Sequence, residues 1–308
     1  MIVVLTGGSG GAKLIEGLAA EIDSAELTIV CNTGDDAIFH GLYVSPDIDT
    51  ITYTLAGLND SAKGWGIKDD LFVVLDQLRR LGNDVWFKLG DKDFATHITR
   101  TRLLKEGQKL SQITDQMRRL LGIRSTILPM SDERIETRIS TARGEISFQE
   151  FFVKHRWSPE VSAVRFAGAE KSQPAPAVLD AIRHAEAIIV CPSNPITSIG
   201  PILAVPGIRA ALTDSVAPVL GVSPIIGTAA ISGPAHKLML ACGCKASALG
   251  VAECYADFLD KLLIADEDSA LREPIESLDI MVIPTDIRMA GLADKRRLAR
   301  QLLALAQK

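Results

Sequence analysis

The run Ile2-Val3-Val4-Leu5 passes through Thr6 into Gly7-Gly8-Ser9-Gly10-Gly11, and no other stretch constrains the fold as much. Consecutive apolar residues without polar alternation describe a strand covered on both faces, as in a parallel sheet flanked by helices. Beyond the glycines, Leu14, Ile15, Leu18 and Ala19 share one helical face. Leu27-Thr28-Ile29-Val30-Cys31 then opens a second apolar run. Strand, tight turn, helix and strand within about thirty residues make a strand–helix–strand unit. Open parallel sheets gather ligands at the carboxyl ends of their strands. The polar clusters at the two strand ends, 7–13 and Asn32-Thr33-Gly34-Asp35-Asp36, therefore predict a binding site.

The pattern returns later in the chain. A helix at 176–186 leads into Ala187-Ile188-Ile189-Val190-Cys191 and a polar loop at 192–201. A strand at 218–222 enters Ser223-Pro224-Ile225-Ile226-Gly227, a further strand ends at Thr285-Asp286, and a helix closes the chain. The stretch at 52–160 reads as mainly helical. It has an amphipathic segment at 71–81 stopped by Gly82-Asn83, two helical patterns in 96–121 split by Glu106-Gly107, and strands at 125–130 and 145–153. No repeat, low-complexity segment or linker interrupts it. The prediction is an α/β fold over residues 1–308, one doubly wound, Rossmann-like, mostly parallel sheet with a mainly helical insertion at about 52–160.

Composition serves to exclude. Lys plus Arg number 33 against 38 Asp plus Glu, a net charge of −5, so there is no basic surplus for nucleic acid or an anionic membrane. No run reaches the roughly 20 apolar residues of a membrane helix, and MIVVLTGGSGG has no basic n-region of a signal peptide. A cytoplasmic protein without nucleic-acid or membrane partners is expected. The five cysteines (Cys31, Cys191, Cys242, Cys244, Cys254) lack metal or redox spacing and read as buried, reduced thiols.

Several loops carry candidate chemistry. Glycines let backbone N–H groups approach a phosphate, and a helix N-terminus adds partial positive charge. Gly8, Gly10 and Gly11 are thus candidate phosphate contacts, with Lys13 as a cation where a dinucleotide fingerprint would place its third glycine. The spacing is not that of a Walker loop. Asp35 and Asp36, with Asp47 and Asp49 in Ser45-Pro46-Asp47-Ile48-Asp49-Thr50, make a denser acidic cluster than a ribose needs. An extended 45–50 segment would point both of its carboxylates the same way, which suits Mg²⁺ held by one or two carboxylates and substrate phosphates. Trp65 between two glycines suits a planar ring, and Lys88-Leu89-Gly90-Asp91-Lys92-Asp93 with His97 is a compact charged turn. The 192–201 loop, with Ser193, Asn194, Thr197 and Ser198, is a second candidate phosphate site, and 223–227 and 232–237 repeat the theme. No nucleophile elbow, zinc-helix motif or Cys-x-x-Cys is present. The chemistry is left to positioning and electrostatics, as in phosphoryl transfer.

These residues together resemble the 2-phospho-L-lactate transferase family of coenzyme F-420 biosynthesis. The similarity runs through 7–13, NTGDD at 32–36, SPDIDT at 45–50, GWGIKDD at 64–70, KLGDKDFATH at 88–97, LPMSDE at 128–133, FQEFFV at 148–153, PSNPITSIGPIL at 192–203, SPIIG at 223–227, SGPAHKLM at 232–239 and GVAECYADFLD at 250–260. It covers roughly 1–265 and is weaker near Thr285-Asp286. The resemblance implies a Mg²⁺-dependent transfer. A guanosine diphosphate carrying a three-carbon phospho-acid (2-phospholactate, phosphoenolpyruvate or 3-phosphoglycerate) gives that group to the terminal ribityl hydroxyl of the deazaflavin Fo, and GMP leaves. It puts the family's deazaflavin-binding positions on Asp49 and Lys88, the expected catalytic pair, and implies a homodimer. Within that frame Asp35, Asp36 and Asp47 are the candidate metal ligands, and Trp65 is a stacking partner for the deazaflavin. Asp49 is expected to orient or deprotonate the hydroxyl. Gly8, Gly10, Gly11, Lys13, Asn32, Asn194, Thr197, Ser198 and Ser223 are expected to hold the guanosine diphosphate. Two rivals stand beside this reading. One is a non-enzymatic, nucleotide-sugar-binding regulator of the gluconeogenesis-factor type, which would not need Asp49 and Lys88. The other is an NAD(P)-dependent dehydrogenase, which Lys13 and the extra phosphate loops disfavour.

Overall fold

Seven short apolar runs form the strands β1 (Ile2–Thr6), β2 (Leu27–Cys31), β3 (Thr126–Pro129), β4 (Ala187–Val190), β5 (Val219–Val222), β6 (Lys261–Ala265) and β7 (Met281–Thr285) in a computed structural model. The structure describes residues 1–60, 63–231 and 233–307. The strands pair in the order β7-β6-β5-β4-β1-β2-β3, every neighbour parallel. Side chains alternate across the sheet. Val3 and Leu5 enter one apolar cluster with Val30 and Val190, and Val4 enters the other with Ile29 and Ile189. Both faces are covered, which is why these strands show no polar alternation. Each fully buried Val or Ile contributes about 1.5–3 kcal/mol, and continuous burial in the sheet centre fixes the register.

The chain starts in the middle of the sheet at β1, builds outward through β2 to β3, and returns to place β4 on the other side of β1. That reversal is a topological switch point, where open α/β sheets leave a crevice beyond the strand ends. The expected doubly wound sheet is therefore present. The run that follows β1 folds as α1 (Gly8–Ala19), whose Leu14, Ile15 and Leu18 are buried as the spacing predicts.

Between β2 and β3 lie α2 (Pro46–Leu55), α3 (Val73–Arg80), α4 (Asp91–Lys105) and α5 (Leu110–Leu120). After β3 comes a three-stranded antiparallel sheet of Glu136–Thr141, Gly144–Ser147 and Val161–Ala167. The strand expected at 145–153 ends at Ser147, and Glu150–Lys154 forms a π-helical turn instead. Ser147 is the cause: its Oγ donates to Glu150 Oε2 at 2.9 Å and accepts the Glu150 N–H at 3.2 Å, turning the chain. Glu136–Thr141, Val161–Ala167 and Lys261–Ala265 were not anticipated; the first two are half-exposed and carry charges inside the run.

The thiols divide. Cys31 and Cys191 are buried in the core as expected, but Cys242 is exposed and Cys244 and Cys254 are only half-buried. Among the described residues no helix is long and apolar enough to cross a membrane.

Candidate active site

One cavity of about 940 Å³ opens at the switch point and continues over α2 and α4. Its first half is built by the ends of β1 and β4. Gly7 is extended and opens α1, which has no capping side chain and no acidic residue in its first turn. Gly8 has φ +69°, a left-handed backbone that a glycine adopts without strain. Ser193 donates to the Gly7 carbonyl at 2.7 Å, and the Gly8 N–H donates to Asp47 Oδ1 at 2.7 Å. The loop after β4 is turned by Asn194, whose Oδ1 accepts the N–H groups of Ile196 (2.9 Å) and Thr197 (3.4 Å), with Pro195 in the first position of the turn. Gly8, Gly10, Lys13, Asn194, Thr197 and Ser198 all line this half. Lys13 makes no ion pair or hydrogen bond among the described residues.

Some expected contacts lie elsewhere. Gly11 is buried against Thr6 and Ser193 and does not line the cavity; its role is close packing of α1 on the sheet. Ser223 is fully buried, donating to the Ile225 carbonyl and accepting the Ile225 N–H, so its own turn consumes it and Pro224 faces the cavity instead. Ser232 lies outside the described residues; Gly233, Pro234 and Ala235 beside it line the wall. Asn32 is buried behind the site. Its amide donates to Asp35 Oδ2 (3.2 Å), Asp47 Oδ2 (2.9 Å) and the Thr197 carbonyl (3.2 Å), so it braces both acids and the β4 loop rather than touching a ligand.

The acids separate by role. Asp47 and Asp49 do not point the same way, because 46–55 is helix and not extended chain. Pro46 in the first turn with two acids behind it is a helix-start signal that outweighs the i, i+2 argument. Residues two apart on a helix diverge by about 200°, so Asp47 turns to α1 while Asp49 turns to α4. Asp35 and Asp47 share the Asn32 amide, and Asp35 Oδ1 has no hydrogen-bond partner among the described residues. Asp36 does not line the cavity; it accepts Ser45 Oγ at 2.5 Å and is held in the interior, which removes it from the metal set. Among the described residues no three His, Cys, Asp or Glu side chains converge as a ligand cage. Two neighbouring carboxylates fit a cation that takes the rest of its shell from phosphate and water, the habit of Mg²⁺.

Burial, reinforced by the Asp47 charge, pushes the Asp35 carboxyl well above its usual range, and burial lifts Asp47 to about 6 against its bonds from Asn32 and Gly8. A folded-state value above the unfolded one of about 3.9 means that folding takes up protons in that window, so stability drops as pH rises through about 6. In metal-free protein, lowering the pH from 7.5 to 5.5 is expected to recover about 1 kcal/mol from Asp47, a Tm gain of about 2 °C, by the shift cited and the linkage relation. Asp47→Asn should lose that gain; scanning calorimetry showing the same pH response in both proteins overturns the assignment.

The second half of the cavity has apolar walls and one buried charge network. Asp49 is buried and pairs with Arg100 of α4 through both guanidinium nitrogens, Nη1 at 3.0 Å from Oδ2 and Nη2 on Oδ1. Burial opposes the Arg100 charge, but Asp49 outweighs it and holds the guanidinium protonated. His97 Nδ1 lies 3.7 Å from Asp49 Oδ2 and its Nε2 lies 3.2 Å from Asp93 Oδ1, while Tyr53 donates to Asp93 at 2.6 Å. Asp49, Tyr53, Asp93 and His97 line the cavity and Arg100 stands behind them. A carboxylate gripped on both oxygens by a buried arginine is fixed in orientation, which suits it to position a hydroxyl. Sequence reasoning missed Arg100; its one signal was the i, i+3 spacing from His97.

Lys88 and the half-exposed Trp65 line the outer wall, joined by Trp86 and Phe87, which the sequence reading passed over. Phe87 stacks on Phe39 at 4.0 Å and Trp86 meets Phe39 edge-on at 5.2 Å, so the wall is rigid. Lys88 has no partner among the described residues, whereas Lys92 donates to the carbonyls of Lys68 and Asp69 and supplies no charge to the cavity.

The family described as 2-phospho-L-lactate transferase CofD matches residues 2–304. A protein of Streptomyces griseus named phosphoenolpyruvate transferase is 44% identical over 314 residues, spanning 99% of this chain and 98% of its own. A 2-phospho-L-lactate transferase of Methanothermobacter thermautotrophicus is 44% identical over 307 residues, spanning 98% and 97%. Among solved structures, a UPF0052-family protein from Bacillus halodurans shares the fold with a TM-score of 0.64 at 16% identity, over 98% of both chains.

Proposed function

Because this chain belongs to the 2-phospho-L-lactate transferase family, we propose that it moves a phosphorylated three-carbon acid from a guanosine diphosphate carrier to the terminal hydroxyl of Fo, in the making of coenzyme F-420. The observation that carries this reading is the single cavity that joins a glycine-lined helix start to an aromatic-walled half holding Asp49 and Lys88. Two substrates that react with each other need such a continuous space.

The guanosine diphosphate would lie between the start of α1 and the 192–198 loop, with Lys13 beside the phosphates. Asp35 and Asp47 would hold Mg²⁺, which when bound withdraws charge from the diphosphate and lowers the barrier to attack by an electron-rich oxygen. Trp65, Trp86 and Phe87 would receive the deazaflavin ring, and Lys88 its polar edge. Asp49, fixed by Arg100, would hold the ribityl hydroxyl toward the distal phosphorus. The hydroxyl oxygen bonds to that phosphorus, the bond from phosphorus to the bridging oxygen breaks, GMP leaves with that oxygen, and the hydroxyl proton passes to solvent or to the departing phosphate. The protein supplies position and charge rather than a covalent intermediate.

Purified protein, Fo, Mg²⁺ and each of the three candidate donors are the test. The expected result is a phosphodiester product and one GMP per turnover with at least one donor, identified by mass spectrometry. No product and no GMP from any donor at saturation sinks the reading; tight binding of a UDP-sugar without Fo binding then favours the regulator. Since relatives named for phosphoenolpyruvate and for phospholactate match at equal identity, the donor assay also decides which acid is used.

A further inference from the structure

Arg156 lines the cavity, yet its guanidinium makes no ion pair or hydrogen bond among the described residues. It stands in a left-handed backbone at φ 48°, and Trp157 follows at φ 47°. Two successive non-glycine residues in that region are held there by their surroundings, a pattern that clusters at ligand sites. The clamps are visible. The His155 N–H donates to the Glu150 carbonyl and the Trp157 N–H to the Phe151 carbonyl, both at 2.8 Å. Lys237, on the helix Ala235–Ala241, donates to the Trp157 and Ser158 carbonyls at 3.3 Å each. Ala235 at the start of that helix lines the phosphate half. On the other side Lys154 reaches Asp84 at 3.1 Å and lies 5.4 Å from the centre of the Trp86 ring, in the aromatic wall. Arg156 is thus fixed on a short segment that bridges the two halves, where a group on the transferred phosphorus would pass.

The other cations of the cavity are otherwise engaged or differently shaped. Lys63 pairs with Asp60 at 2.7 Å, and Arg288 with Glu267 at 2.5 Å. Lys13 and Lys88 present single ammonium groups. Arg156 alone among the described lining residues offers an unpaired planar fork, which matches a carboxylate through two parallel hydrogen bonds. A guanosine diphosphate linked to a three-carbon acid differs from plain GDP in that it carries such a carboxylate.

We propose that Arg156 is the subsite for the carboxylate of the transferred three-carbon acid, and that it distinguishes the loaded donor from GDP. The assignment rests on the transferase reading. The experiment is calorimetric titration of the full chain and of Arg156→Gln and Arg156→Lys with GDP, and with guanosine diphosphate bearing phospholactate, phosphoenolpyruvate or phosphoglycerate, all with Mg²⁺. Fo binding is followed in parallel by its fluorescence. Arg156→Gln should weaken the loaded donors about tenfold or more, leave GDP and Fo within about twofold, and keep the wild-type Tm; Arg156→Lys should retain part of the affinity. Equal weakening of GDP and loaded donor puts the arginine on the phosphates and overturns the proposal. Weakened Fo binding or unchanged donor binding overturns it as well. Wild-type protein that binds neither donor nor Fo removes the transferase reading along with it, whereas normal wild-type binding and an indifferent variant remove only the role of Arg156.

Discussion

Asp49→Asn is expected to reduce turnover at least about 100-fold, because the group that would orient the acceptor hydroxyl loses its charge and its grip on Arg100. The same change should also destabilise the protein. Arg100 is 2% exposed, and deleting the partner of a buried charge typically costs about 3–5 kcal/mol. Activity and stability can be separated by the double variant Asp49→Asn with Arg100→Gln, which removes both charges. Chemical denaturation should show the double variant more stable than the single one, since no unpaired charge is left inside. Its turnover should stay as low as that of Asp49→Asn. Near-normal turnover in either variant takes Asp49 out of the mechanism. A double variant no more stable than the single one would show that the ion pair is not what holds α2 against α4.

Gly10→Ala should disrupt the crevice between α1 and the loop after β4 while sparing the half that holds Asp49 and Lys88. An added Cβ at Gly10 would stand 2.5 Å from the Pro192 carbonyl oxygen, a backbone atom that cannot step aside. Relief requires α1 and the loop after β4 to part. Overpacking of this kind costs about 1–3 kcal/mol, and the two parted walls are those proposed to hold the diphosphate. GDP affinity should drop about tenfold or more while Fo binding stays near wild type. Gly41→Ala is the control: its φ of +76° also strains an alanine, but it lies outside the cavity lining and no atom lies within 4 Å of the new Cβ, so the walls stay together. Fluorescence or calorimetric titration of the three proteins decides. Wild-type GDP affinity in Gly10→Ala would dissociate this crevice from the donor.

The parts of the site that were legible in the sequence are those whose chemistry is local. Glycines after an apolar run announce a backbone that can approach a ligand, and Asn194 before Pro195 announces a turn, whatever the rest of the chain does. Asp49 and Lys88 gain their expected roles from the family resemblance, Trp65 from its place between two glycines, and all three line the cavity. Asp36 and Ser223 looked equivalent to their neighbours in sequence, and only packing turned them inward, Asp36 toward Ser45 and Ser223 into its own turn. Arg100 and Arg156 had no motif to mark them. One is defined by a partner 51 positions earlier, the other by clamps from a helix about 80 positions later.

The sequence by itself determined six of the seven strands of the central sheet, all but β6, with the acidic and glycine-rich loops at strand ends, and the family, since these depend on periodicity and on residues near one another in the chain. The tertiary structure alone decided that β4 returns beside β1, so that loops some 185 residues apart meet as Gly7 and Ser193 in one crevice. It also decided the direction of each acid. A helix from Pro46 sends Asp47 to the α1 backbone and Asp49 to a buried arginine. Side-chain direction and charge pairing depend on what the fold brings within a few ångströms, and that distance is not written in the order of the residues.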